Sequence, residues 1–436
     1  MTSDRPVVRN VARACRAVCM AGALAGMCLG VVAQDGGPDT ARLNQLISAG
    51  DYRAAIVEAR TLAESVRPKA KDGSYVPRQM AAVEILVQQG TLERVIGALD
   101  AAETTLGEAF QASTEREFQR RLMLAVRAGG EQATRAIVPF ELVFIDLLDQ
   151  GMGLVVDRLR QDGASAGREK ITGWLAQFEQ LAKQAAAARE GLAERLELAG
   201  ASLARSPRAR MLASDIEPLR LQAMLALAKS RLPAADRDGG DNAAAARKAR
   251  DEAVAKLVQA VEQAEEVLAP PADAEPTEAE MEQRQQAEAE RARADLLECL
   301  AEAQLFAGKA EAAEESIDRA LAIREAMLDD GHPDLLRTTI LAAGIAEAQR
   351  RASEAAGRSF PAREQAKRAA THATEAQALL ERHEKVFSAS WPWRAALAAV
   401  AKNVPAAETH EPRDPAVADA VDAATQRVMP LIRSLR

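Results

Sequence analysis

Aromatic side chains are scarce in this chain, at 3% of 436 residues with three tryptophans and two tyrosines. Sandwiches and barrels rely on aromatic and β-branched residues, so this scarcity argues against a β architecture. It also leaves little with which to stack sugars: Trp174, Trp391, Trp393, Tyr52 and Tyr75, besides phenylalanine. Histidine is scarce too. His332, His372, His383 and His410 nowhere place two imidazoles one helical turn apart around a glutamate, so no metal site is expected. No serine elbow, phosphate-cradling glycine loop or cysteine–histidine pair is present, and Gly151-Met152-Gly153 lacks the lysine of a phosphate loop. The sequence therefore predicts neither an enzyme nor a cofactor.

Excess positive charge is also missing. The formal net charge is -8, and basic residues alternate with Glu and Asp as on solvated helix faces, which excludes a nucleic-acid partner from the expectation. Local positive charge gathers at the start, where Arg5, Arg9, Arg13 and Arg16 face only Asp4. An uncharged run from Cys19 to Ala33 follows, with Val31-Val32-Ala33 placing small residues before Gln34. That layout predicts a secretory signal peptide over residues 1–33, cleaved after Ala33, and a periplasmic or secreted protein. The alternative, an uncleaved anchor, is opposed by length, because a spanning helix needs about 20 apolar residues. No later stretch is long and uncharged enough to span a membrane: the most apolar one, Val138 to Leu148, contains Glu141 and Asp146. Cys15, Cys19 and Cys28 would leave with the leader. Cys299 would then stand alone between Leu297 and Leu300, a small core residue in a protein held by packing and not by disulfides.

What is abundant is alanine and leucine, within a 48% apolar share, and these suit closely approaching helices. A chain of this length exceeds one core, so several domains or a stack of small helical units is expected. Leu43, Leu46 and Ile47 share one helical face, Gly50 breaks that helix, and Ile56, Ala59 and Leu62 resume the period. A second, weaker copy is read at Leu86 to Ala102, with Gly90 as the break and Leu92 in the place of Tyr52. Between 103 and 232 amphipathic helices are punctuated by Gly129-Gly130, Gly151-Met152-Gly153 and Gly163. Pro139 to Leu148 reads as a core helix, with a docking face as the alternative. Pro270, Pro271 and Pro276 mark a linker, and Thr277 with Glu280 forms a capping box that restarts a helix. The organisation expected is 1–33 leader, 34–232 N-terminal helical region, 233–276 linker and connecting helix, 277–388 C-terminal repeats and 389–436 capping region. In that last region Val417, Val421, Ala424, Val428 and Leu431 form a terminal apolar stripe, and Trp391-Pro392-Trp393 an aromatic plug.

Gly50-Asp51-Tyr52 with Ala55 and Ile56 resembles the centre of a tetratricopeptide repeat. Leu296 to Leu335 is similar to the roughly 40-residue kinesin-light-chain type of that family, carried by Leu300, Ala303, Gly308, Ala313, Ile317, Ala320-Leu321-Ala322-Ile323-Arg324-Glu325 and Gly331-His332-Pro333-Asp334. Ala310 departs from the tyrosine usual there. The resemblance implies an all-α solenoid of antiparallel helix hairpins with a C-terminal capping helix, whose concave face binds a peptide or helix of a protein partner. Asn44, Gln45, Glu302 and Gln304 are the polar residues expected to face that groove. Two other readings stay open: an envelope enzyme or glycan-binding module, and a structural spacer that binds nothing.

Overall fold

The computed structural model describes residues 39–68, 75–127, 130–163, 165–199, 201–230, 232, 242–269, 279–389 and 391–403. The expected leader, the two proline- and glycine-rich loops and the stripe from Val417 to Leu431 lie outside the described residues. Among those described, every regular element is a helix, as the alanine- and leucine-rich composition predicts. None of these helices is long and apolar enough to cross a membrane.

The first helices are α1 (Ala41–Ser48), α2 (Tyr52–Val66), α3 (Tyr75–Val95), α4 (Leu99–Ser113) and α5 (Arg116–Arg127). The long α6 (Gly130–Asp162) and α7 (Arg168–Arg189) follow. Three short helices come next, α8 (Leu192–Ala199), α9 (Ala201–Arg205) and α10 (Pro207–Ala213), then α11 (Ile216–Lys229) and α12 (Asn242–Val267). The chain continues through α13 (Ala279–Phe306), α14 (Ala310–Met327), α15 (Asp334–Ala355), α16 (Ser359–Arg382) and α17 (Pro392–Asn403).

The chain divides into two compact units. The first holds Met1–Val155, Leu175–Pro218 and Glu262–Ala292; the second holds Val156–Trp174, Leu219–Val261 and Arg293–Arg436. In the first, α1 to α4 pack each against the next. In the second, α14, α15 and α16 do the same, and α17 lies against both α15 and α16 through Ala343, Ala373 and Val400.

Among the described residues one turn recurs four times, twice in each unit. Gly50, Gly97, Gly308 and Gly357 have φ of 71°, 78°, 77° and 69°, the left-handed region in which a Cβ is strained. Each glycine N–H donates three residues back, to Ile47, Arg94, Leu305 and Glu354. The next residue donates five back, from Asp51 to Leu46, Ala98 to Glu93, Lys309 to Gln304 and Arg358 to Ser353, at 2.8–2.9 Å. This pair of bonds caps the carbonyls that the first helix leaves unsatisfied. Five residues past each glycine stands an alanine, Ala55, Ala102, Ala313 or Ala362, and all four are buried. A larger side chain there would push the second helix off the first. Replacing Gly97 or Gly308 by alanine should cost about 1–2 kcal/mol each through the left-handed strain. Gly107→Ala, exposed on α4 where a Cβ meets nothing within 4 Å, should instead stabilise by about 0.5–1 kcal/mol. Urea unfolding of the three variants checks the contrast.

The recurrence corrects the register of the second copy. Gly90 lies inside α3, and the turn is at Gly97, which puts Leu99 in the place of Tyr52. Gly90 is in the helix for want of a Cβ: one built there would lie 2.7 Å from the Leu106 side chain of α4. Gly151-Met152-Gly153 likewise does not punctuate. It sits inside α6, where a Cβ on Gly153 would collide with the Arg94 guanidinium.

The apolar run of α6 is core, in line with the favoured reading. In the first unit Val138, Leu142 and Ile145 pack with Leu192, Leu196, Leu203, Ala209 and Leu212 of α8–α10. Phe140 packs edge-on against Phe118 of α5, with ring centroids 5.2 Å apart. Trp391 and Trp393 are buried as well, and Trp391 stacks on Phe387.

Candidate functional site

A cluster of buried charge in the second unit sits on the C-terminal half of α13. Glu298 and Glu302 are four residues apart, so a helix places them on one face, one turn from each other. Both are fully sealed from solvent among Leu296, Leu297, Leu300, Ala301 and Ala303. A carboxylate in such surroundings costs several kcal/mol unless cations meet it, and the chain supplies three arginines from three helices.

Arg324 of α14 reaches Glu298 at 2.8 Å and Asp295 at 2.6 Å. Arg337 of α15 reaches Glu298 at 2.7 Å and Glu302 at 3.5 Å. Arg160, near the end of α6, binds Glu302 at 2.8 Å. Thr338 of α15 donates its hydroxyl to Glu298 at 3.3 Å. Burial works against the charge of the Arg324 guanidinium, but Glu298, Asp295 and Asp334 outweigh it and hold its pKa above the ordinary arginine value. Arg337 is raised in the same way, with burial opposing and Glu298, Cys299 and Glu302 favouring the charged form. Its guanidinium also lies 5.1 Å over the Trp393 ring.

Chemically this cluster is a lock. Each carboxylate oxygen is committed to a permanently charged guanidinium, so neither glutamate is free to shuttle a proton. Cys299, adjacent to the cluster, is no better placed for catalysis, because burial pushes its thiol up and away from the reactive thiolate. Among the described residues no three His, Cys, Asp or Glu side chains converge on a common point.

The four residues expected to line a groove are divided between the two units. Asn44 and Gln45 are on α1 in the first unit, and Glu302 and Gln304 on α13 in the second. Gln45 is exposed, whereas Asn44 is buried. Gln304 is buried and accepts a hydrogen bond from the Ser316 hydroxyl of α14 at 2.8 Å. Glu302, expected to meet a partner, meets Arg160 of its own chain. A polar residue on the groove side of a helix stays available only if nothing of the same chain covers that side; here α6 does. Glu298, Arg160 and Arg337 escaped the sequence reading, which named Arg324 only within the repeat pattern. The available signal was two glutamates four apart within a leucine- and alanine-rich stretch.

One strip along α15 is open to solvent. Arg337, Gly344, Ala348 and Arg351 fall on a single helical face, each partly exposed, and a Cβ on Gly344 would meet nothing within 4 Å. Compared with known proteins, the chain matches no protein-family model, no curated protein and no solved structure.

Proposed function

We propose that this chain is an exported, non-catalytic scaffold of tetratricopeptide-like helix hairpins, which holds a peptide or helix of a protein partner. The observation that carries this reading is the fourfold turn: glycine at positive φ, the same two capping bonds and an alanine five residues on. Repetition of one hairpin joint is the mark of arrays that stack similar units and present a continuous surface. With Glu302 and Gln304 committed to the interior, the binding surface is assigned to the strip on α15, floored by Gly344 and Ala348 between Arg337 and Arg351. Both arginines are already paired with glutamates of this chain, Arg337 with Glu298 and Arg351 with Glu347, so the strip offers a small-residue floor with neutralised flanks.

Gly344→Glu with Ala348→Glu adds bulk and negative charge to two partly exposed positions of that strip, and a Cβ at the first meets nothing within 4 Å. Helical content should stay unchanged, while a stoichiometric protein captured from an envelope extract by the parent chain should be lost. Retention of that protein by the double variant would remove the strip from the proposal, and turnover of a wall fragment by the parent chain would replace scaffold with enzyme. A second reading, a spacer that binds nothing, is favoured by one observation: the α13 face that a ligand would use is filled by Arg160. Absence of any stoichiometric partner would support it.

A further inference from the structure

The short helix α10 in the first unit is clasped from two sides by carboxyls that lack a full set of donors. On one side Asp149 of α6 pairs with Arg189 of α7 at 2.5 Å, and Arg189 also donates to the Leu212 carbonyl of α10 at 2.8 Å. Asp149 Oδ1 is sealed and meets no donor. Around it stand Asp146, which is paired with Arg208 of α10, and Glu217 at the start of α11. Arg94 of α3 is linked to Asp146 through Gln150. On the other side Glu288 of α13 faces the backbone N–H and the side chain of Arg208, the Ser206 hydroxyl at 3.5 Å and Arg210. Glu288 Oε1 is again sealed without a donor. Arg210 is turned toward the Ala269 carbonyl, to which it donates at 2.8 Å.

A carboxylate whose second oxygen is sealed inside the protein and meets no donor there is poorly solvated, and here the shortfall occurs twice around one seven-residue helix. We propose that Asp149 and Glu288 form a pH-sensitive latch on α8–α10: protonated, they let α10 sit tightly on α6; ionised, they loosen it. Burial acts in the same direction on both groups. It raises the Asp149 carboxyl to about 7 against the pull of Arg189, with Glu217 and Asp146 adding to the rise. It raises Glu288 to about 7 against Arg208, Ser206 and Arg210. A carboxyl raised in the folded state favours folding while it holds its proton, so that contribution is full at low pH and is lost as pH rises through about 7. Arg189 keeps its bond to Leu212 in either state, so the latch loosens without detaching.

Hydrogen exchange of the full chain, corrected for the intrinsic rate, tests this. Between about pH 6 and pH 8 the protection of amides in 207–213 should fall by about tenfold for each titrating carboxyl. Residues 334–355 of the second unit serve as an internal reference and should change less. Asp149→Asn with Glu288→Gln should flatten the profile. A flat wild-type profile, a rise in protection with pH, or a slope that survives in the double variant would each overturn the latch. Should the variant fail to fold, the wild-type profile against its internal reference still decides.

Discussion

Replacing Glu302 alone by methionine is expected to destabilise the second unit by about 3–5 kcal/mol, because it leaves the Arg160 guanidinium in a dry site without a counter-ion. The side chains of Arg160 and Glu302 are 12% and 0% exposed, so water cannot take over the missing half of the pair. Arg160→Met should cost less, because Arg337 still reaches Glu302 at 3.5 Å. The double variant should lose much less than the sum of the two, since two apolar side chains of similar length need no charge compensation. Trp174, Trp391 and Trp393, the chain's three tryptophans, all belong to this unit, so their fluorescence in a urea titration reports it selectively. If Glu302 were instead a ligand contact, Glu302→Met would unfold like the parent chain and lose only a partner. Additive losses in the double variant would show that the two residues do not form a coupled pair.

The helical class was legible from composition, since alanine and leucine without aromatics leave few other ways to bury apolar surface. Helix ends were legible where glycine acts through its own backbone: Gly50, Gly308 and Gly331 all stand at positive φ in interhelical turns. They were misread where glycine acts through a neighbour. Gly90 and Gly153 stand inside helices where Leu106 and Arg94 occupy the space a Cβ would need, and those contacts join residues far apart in the chain. Gly97 could have been found by extending the spacing of Gly50 and Ala55 to Ala102, a purely local rule. The site was harder. Whether Glu302 faces solvent depends on Arg160, 142 residues earlier, and no periodicity within α13 carries that information.

The four turns share a backbone but differ in the side chain two residues past the glycine, and this difference sets the largest contrast in stability. Tyr52 is 2% exposed and Leu99 is 5%, whereas Ala310 is half-buried and Ser359 is exposed. Tyr52→Ala is expected to cost about 3–5 kcal/mol, as for other large aromatic-to-alanine changes in a core, while Ser359→Ala at the equivalent place should stay within about 0.5 kcal/mol. The loss should also be local. The eight residues of α1 are too few to hold a helix without a partner, so once the Tyr52 wedge is gone its pairing with α2 is left to Leu43 and Ile47. Hydrogen-exchange protection over 41–66 should therefore collapse while α3 and α4 keep theirs, because Leu99, Ala102 and Leu106 still seal that pair. Uniform loss of protection across the whole first unit would mean that its turns do not act as separable joints, and the hairpin-by-hairpin account of this chain would fail with it.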